Sequence, residues 1–324
     1  MPQNDKEKIS AIIEQCKKIS PCALDIRYDE PMSEHTTFKT GGKADCYLSP
    51  AGEGFPDFYA ALISRARAAG IPVFILGGGA NIVVSDNGVR GIVLYSGEWR
   101  GCANADDDTT GGERLVFHSG TSIDEANETA SAAGLTGLEF LAGMPGTVGG
   151  AVWMNARCYG GEIADVLEWT ETIDNENSES VIQRIVTGQG EGVGFGYKQS
   201  PFQKMDCFIL NAAFKLKKGD KDKIQIEMEK NRRDRQEKGH YLFPCAGSVF
   251  KNNRDFGKPT GQIIDELGLR GFQIGGAQIA PFHGNIIINT GGATSSDIRA
   301  LMDKTAEKVK AATGFVLEPE VLFV

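Results

Sequence analysis

The sequence contains no Cys-x-x-Cys pair. Its seven cysteines (Cys16, Cys22, Cys46, Cys102, Cys158, Cys207, Cys245) are an odd number scattered along 324 residues, which leaves no zinc or disulfide framework. The four histidines (His35, His118, His240, His283) stand apart from one another, so no metal site is expected. No run approaches the ~18 apolar residues of a membrane-spanning helix. Asn4, Asp5 and Glu7 precede any apolar segment, against the basic-then-apolar order of a secretory signal. No membrane partner is therefore expected, and the location expected is cytoplasmic. Positive charge is also short: a net charge of −9 argues against a nucleic-acid partner. A basic cluster, Lys215, Lys217, Lys218, Lys221 and Lys223, reads as a solvated hairpin or linker. Internal repeats and low-complexity segments are missing as well.

Glycine is abundant, with 41 residues in a composition that is 41% hydrophobic and 24% charged, as in a globular protein rich in turns. The length suits two or three domains. The densest stretch runs Gly143-Met144-Pro145-Gly146-Thr147-Val148-Gly149-Gly150 and closes on the apolar Ala151-Val152-Trp153-Met154 before Asn155. So many glycines hold a backbone whose N–H groups a ligand can approach closely, and phosphate is the usual guest. A second loop, Gly77-Gly78-Gly79-Ala80-Asn81, leaves the apolar run 71–76. Either loop alone is equally well a tight turn; together they suit a diphosphate cradled from two sides. A Rossmann dinucleotide fold fails its test, because the spacing is not G-x-G-x-x-G and the residues after Asn81 are β-branched.

In chain order, Ile9, Ile12, Ile13 and Cys16 predict an amphipathic helix over 5–18. A strand-like run at 36–38 enters the Gly41-Gly42 turn, and 44–48 reads as the next strand. A helix is expected over 56–69, stopped by Gly70. Strands at 71–76 and 91–95 complete a βαβ-like unit. The acidic run at 106–112 reads as a hairpin tip, since no acidic residue follows at calcium-ligand spacing. Ser122-Ile123-Asp124-Glu125 reads as a capping box opening a helix that Gly134 stops. Strands follow at 115–118, 168–173, 180–186 and 208–216, then an exposed charged helix over 224–238. Beyond these come a helix over 260–267, a strand over 285–289, a helix capped near Thr294 and stopped by Gly314, and a terminal strand over 315–324.

Three loops expose reactive side chains: Phe195-Gly196-Tyr197-Lys198-Gln199-Ser200, Cys245-Ala246-Gly247-Ser248-Val249-Phe250-Lys251-Asn252, and Glu318-Pro319-Glu320-Val321. Each can equally be a turn hydroxyl or a surface charge. Ser248 lacks the G-x-S-x-G elbow and a local histidine, which disfavours a hydrolase. A serine beside a cation can instead donate a proton, and with a redox cofactor this is equipment for reducing an activated double bond.

Those motifs resemble the UDP-N-acetylenolpyruvoylglucosamine reductase family along nearly the whole chain, from 36–42 through 77–81, 143–155, 197–202 and 247–252 to 317–321. The chain looks like the shorter subclass of that family. The resemblance implies an α+β fold: a two-part FAD-binding domain of the vanillyl-alcohol-oxidase type, at 1–95 with 315–324 and at 96–218, and an α/β substrate-binding domain at 219–314. It implies a hydride passed from NADPH through FAD to C3 of the enolpyruvyl group of a UDP-sugar, in peptidoglycan precursor synthesis, with C2 left to be stabilised and protonated. Ser248 then stands as proton donor, Glu320 as enol stabiliser, and Lys198 where the family usually has arginine. FAD contacts are implied for Thr40, Gly41, Gly77, Gly78, Gly79, Asn81, Pro145, Gly146, Thr147, Gly149 and Gly150, and substrate contacts for Tyr197, Asn252 and His283. A monomer is expected. The chain departs from the family pattern at Lys198, which loses arginine's bidentate fork, at Arg157, which replaces a glycine, and at Phe282, which replaces a lysine. Arg157 either shares the charge of Lys198 or is a surface arginine. Two other readings remain open: a sugar or hydroxy-acid oxidase of the same fold, and a nucleotide-sugar-binding module.

Overall fold

The computed structural model describes residues 3–103, 113–175, 182–186 and 194–324, so the expected hairpin tip at 106–112 lies outside the described residues. The chain divides into two compact units: Met1–Asp29, Asp45–Gly78 and Arg90–Arg232 form the first, and Glu30–Ala44, Gly79–Val89 and Arg233–Val324 the second.

In the first unit the opening helix, α1 (Gln3–Ile19), buries Ile9, Ile12, Ile13 and Cys16, the stripe that periodicity anticipates. It packs with α2 (Phe55–Ala68), which carries Pro56 in its first turn and buries Phe55, Phe58, Tyr59 and Leu62. Each of these large side chains contributes roughly 2 kcal/mol of burial. Beside them a four-stranded sheet runs in the order Ala23–Pro31, Lys43–Ala51, Val89–Tyr95, Val73–Leu76, with the last two strands parallel. A five-stranded antiparallel sheet follows, ordered Ile182–Val186, Leu167–Asp174, Cys207–Lys215, Arg114–His118, Cys102–Ala103. Its central strand is buried on both faces: Phe208 and Leu210 join the α1/α2 core, whereas Ile209, Ala212 and Phe214 join a second core. That second core is covered by α3 (Ile123–Ala132) and α4 (Val148–Trp153). Ser122 Oγ accepts from Glu125 N at 3.1 Å and caps α3. The charged helix α5 (Lys221–Glu237) is held by Asn231 Nδ2, which donates to Glu139 O at 2.9 Å, and by Ile224 and Met228 packed on Ala142.

The second unit has an antiparallel sheet ordered Cys245–Ser248, Ile286–Asn289, Ala277–Ile279, Gln273–Ile274. Its core includes side chains from α6 (Thr260–Glu266) and α7 (Ser295–Thr313). A capping box of Thr294 and Asp297 opens α7, and Gly314 closes it at φ 77°. Asp86 adds to this cap, accepting from Ser295 N at 2.7 Å and Ser296 N at 3.0 Å. The Ser296 hydroxyl, donating to the same carboxylate at 2.6 Å, and these backbone contacts hold its carboxyl below the ordinary range despite partial burial.

Three local expectations need correction. Residues 36–40 form a turn rather than a strand: Thr36 Oγ1 donates to Thr40 O at 3.0 Å and Lys39 sits at φ 55°, a side-chain bond that overrides β-branched propensity. The last part of the central glycine stretch is helical, as α4. The terminal strand shrinks to Leu322–Phe323, parallel to Ile82–Val83, because Glu318 and Glu320 bond instead to Lys251 and Val249 around a bridge of Pro319 with Phe250.

Candidate functional site

In the first unit the two glycine loops meet. A Cβ on Gly77 would lie 2.7 Å from Thr147 Oγ1, and one on Gly78 would lie 2.7 Å from Gly146 Cα, so only glycine permits this approach. Gly146 takes φ 129°, and Thr147 then caps α4, its Oγ1 accepting from Gly150 N at 3.4 Å. Gly149 is pinned through its N–H to Ser119 O at 2.8 Å. The N–H groups of Gly77, Gly78, Gly146 and Thr147 meet no acceptor among the described residues. Gly150 is exposed, and a Cβ there would meet only Thr147 Oγ1, at 3.5 Å, so protein packing does not demand glycine. Free N–H donors on a side-chain-poor loop suit a diphosphate. Pro145 lies exposed on the same loop.

A hairpin in the same unit carries Tyr197 and Lys198. Gly196 and Gln199 exchange both backbone hydrogen bonds at 3.0 Å, and Lys198 sits at φ 57°. A lysine in the left-handed region costs about 1 kcal/mol or more, and the surroundings impose it. Asn155, fully buried at φ 43°, donates to Gly196 O at 2.8 Å and accepts from Ala164 N at 3.0 Å. Gln203 Nε2 bridges Trp153 O at 3.0 Å and Lys198 O at 3.1 Å, and Ser200 Oγ donates to Trp153 O at 2.6 Å. The end of α4 thus positions the lysine turn. Arg157 lies over the Tyr197 ring at 5.8 Å and 3.6 Å from Glu162, so it joins this cluster.

In the second unit, Gly247 at φ 70° makes a bulge between Cys245 and Ser248, and Ser248 pairs opposite Ile286. A bulge re-aims the next side chain. Ser248 lines a cavity of about 330 Å³ with Asn252, Gln262, Arg270, Phe282 and His283. Glu320 N donates to Val249 O at 2.8 Å, which sets Glu320 beside the serine's strand, and Asn81 Nδ2 donates to Glu320 O at 3.1 Å. Asn81 therefore ties loop to terminus. Asn252 Oδ1 accepts from Thr260 N at 2.9 Å, and Arg270 is paired with Asp265 at 2.5 Å. Burial, then Arg270 and Lys238, lowers the pKa of His283. Its Nδ1 accepts from Asn285 N at 3.1 Å, so the neutral ring carries its proton on Nε2 as a donor at the cavity wall. Gly79 is required by packing, since a Cβ would lie 2.1 Å from His35 O. Gly41, at φ 124°, packs on Val84, and Thr40 Oγ1 is buried without a partner among the described residues.

Residues 237–324 match the family model described as UDP-N-acetylenolpyruvoylglucosamine reductase, C-terminal domain, and residues 57–181 match a FAD binding domain. Over 293 residues the chain is 40% identical to the UDP-N-acetylenolpyruvoylglucosamine reductase of Borrelia garinii subsp. bavariensis, covering 90% of each. The chain belongs to the UDP-N-acetylenolpyruvoylglucosamine reductase family. A relative in Heliobacterium modesticaldum is 39% identical over 90% of this chain and 88% of its own. The solved reductase structure from Thermus caldophilus has a TM-score of 0.73 at 30% identity, covering 94% of this chain and 100% of that one. The reductase family's FAD-binding part and C-terminal part, with mixed helix and strand, are the α+β architecture expected from the sequence.

Sequence reasoning passed over three buried amides that hold these loops in place. Besides Asn155, Asn285 exchanges hydrogen bonds with Phe250, accepting from its N at 3.1 Å and donating to its O at 2.8 Å. Asn289 donates to Phe38 O at 3.0 Å and accepts from Gly291 N and Ala293 N. An asparagine at the edge of an apolar run was the available signal, because a buried amide must find partners.

Proposed function

We infer that this chain is the FAD-dependent oxidoreductase that reduces UDP-N-acetylglucosamine enolpyruvate to UDP-N-acetylmuramate with NADPH, in peptidoglycan precursor synthesis. The observation that carries the reading is Ser248, turned by the Gly247 bulge onto a polar cavity, with Glu320 bonded beside its strand. Bound FAD supplies the relay of hydride from NADPH to the substrate. The protein's own task is to hold the substrate and to manage charge and a proton at the neighbouring carbon. Ser248 Oγ is the proton donor, Glu320 steadies the enol, and Lys198 places a cation where negative charge develops. Tyr197, Asn252 and His283 are the substrate contacts proposed. For FAD we propose Gly77, Gly78, Pro145, Gly146, Thr147, Gly149 and Gly150 in the first unit, and Thr40, Gly41, Gly79 and Asn81 in the second.

We propose a division into 1–95 with 315–324, 96–218 and 219–314; three apolar cores support it, although Ile173, Phe208 and Leu210 of the second part pack in the core of the first, and Phe38, Val83, Leu317 and Val321 of the first pack in the core of the third. We further propose a cytoplasmic monomer whose product feeds the wall polymer that governs cell shape and division. Among the described residues no helix is long and apolar enough to cross a membrane. Anaerobic titration tests the function: NADPH should bleach the flavin and the enolpyruvyl sugar should restore its colour. Recolouring by oxygen alone would make the chain an oxidase instead.

A further inference from the structure

Ser119 lies in the turn between the strand Arg114–His118 and α3, directly against the central glycine loop. It is 1% exposed, and both its backbone groups are satisfied, N donating to Leu210 O at 3.0 Å and O accepting from Gly149 N at 2.8 Å. Its side chain abuts the loop closely: a Cβ on Gly149 would lie 2.7 Å from Ser119 Cβ. The neighbouring hydroxyls are engaged, Thr121 Oγ1 with Gly101 and Ser122 Oγ with Glu125 N, and Thr147 Oγ1 accepts from Gly150 N. Ser119 Oγ alone in this group is buried with no partner among the described residues. A hydroxyl left so is costly unless a ligand completes it. The loop that Ser119 abuts also carries the unpaired N–H groups of Gly146 and Thr147, which are donors like the hydroxyl, so the partner that would complete all three is an acceptor.

We propose that Ser119 is a cofactor-binding residue, its hydroxyl adding a side-chain donor to the backbone cradle for the FAD diphosphate. The proposal rests on the reading that the diphosphate lies at the Gly146-Thr147 loop. A hydrogen bond to a charged acceptor makes Ser119→Ala weaken FAD roughly tenfold to a hundredfold. In the apoprotein the same change removes an unsatisfied buried hydroxyl, so the melting temperature holds or rises. A merely structural serine would weaken both states together.

The experiment strips the flavin, titrates FAD back by fluorescence, and melts the apoprotein for wild type, Ser119→Ala, Ser119→Cys and Gly78→Ala. Cysteine keeps the shape of serine with a somewhat larger atom at the tip and donates weakly, so it should lose FAD affinity as alanine does. Wild-type affinity in Ser119→Ala, rescue by Ser119→Cys, or a lowered apoprotein melting temperature would each overturn the proposal. Gly78→Ala tests the placement separately, because its Cβ would lie 2.7 Å from Gly146 Cα and should abolish FAD binding. If Gly78→Ala loses FAD while both serine variants keep it, the cradle stands and only Ser119 is released. If Gly78→Ala binds FAD normally, the placement itself falls.

Discussion

The two units build their sites from different materials. In the first, the loops at 77–78 and 146–150 offer backbone N–H groups and almost no side chains. In the second, Ser248, Asn252, Arg270 and His283 offer side chains around a cavity, on or beside an antiparallel sheet. A flexible polyanion is held well by many small backbone dipoles at fixed positions. Proton transfer instead requires one titratable atom at one place. The first unit therefore tolerates little added bulk, and the second little added freedom.

The sharpest test of that contrast is Ser248→Ala. It should leave flavin content and bleaching by NADPH unchanged, while recolouring by the enolpyruvyl sugar slows on the order of 10²–10⁴-fold. Slower bleaching as well would blur the separation of tasks.

Next comes the cation cluster of the first unit, the one place there where a side chain is expected to act in chemistry. Lys198→Met should slow the second half-reaction roughly 10²-fold. Arg157→Met should do less alone, since Glu162 already offsets its charge. Stopped-flow on a double-mutant cycle decides whether the two are coupled: non-additivity of about 1 kcal/mol or more marks a shared task, and additivity returns Arg157 to the surface.

Smaller still are the amide pins, one in each unit. Asn155→Ala removes two buried hydrogen bonds behind the Lys198 turn, and Asn285→Ala removes two behind Phe250. Each should cost about 2 kcal/mol in chemical denaturation. Only Asn155→Ala should make Lys198→Met nearly silent, by freeing the turn that presents the lysine.

The last effect is on pH, and it is absent at neutral pH. Burial, then Arg235 and His283, pushes the His240 pKa down from 6.5 to about 4. The neutral ring is therefore the folded form, and its contribution is complete above pH 6.5 and lost as pH falls toward 4. His240→Gln should flatten the stability profile across that window; an unchanged acid slope would place the titration elsewhere.

Much of the fold was legible because its signals are local. The Ile9, Ile12, Ile13 stripe, Pro56 and Gly70 around α2, and Thr294 with Gly314 around α7 declare helices through periodicity and caps that act within a turn or two of chain. Residues 36–38 misled because β-branched propensity says nothing of a hydroxyl bonding back to Thr40. Residues 315–324 misled because an apolar run does not reveal which partner strand has room for it. The site was legible as residue types in loops, and the resemblance assigned their roles, but Ser119 and Asn285 carried no motif.

By itself the sequence determined the helices, the two glycine loops and the choice of reactive side chains, since backbone freedom and side-chain chemistry belong to each residue. Only the tertiary structure decided that Gly77 and Gly78 meet Gly146 and Thr147, that Glu320 lies beside Val249, and that Lys198 is held at φ 57° by Asn155 and Gln203. Those are contacts between distant parts of the chain, set by which buried donors and acceptors can satisfy one another once the cores have packed.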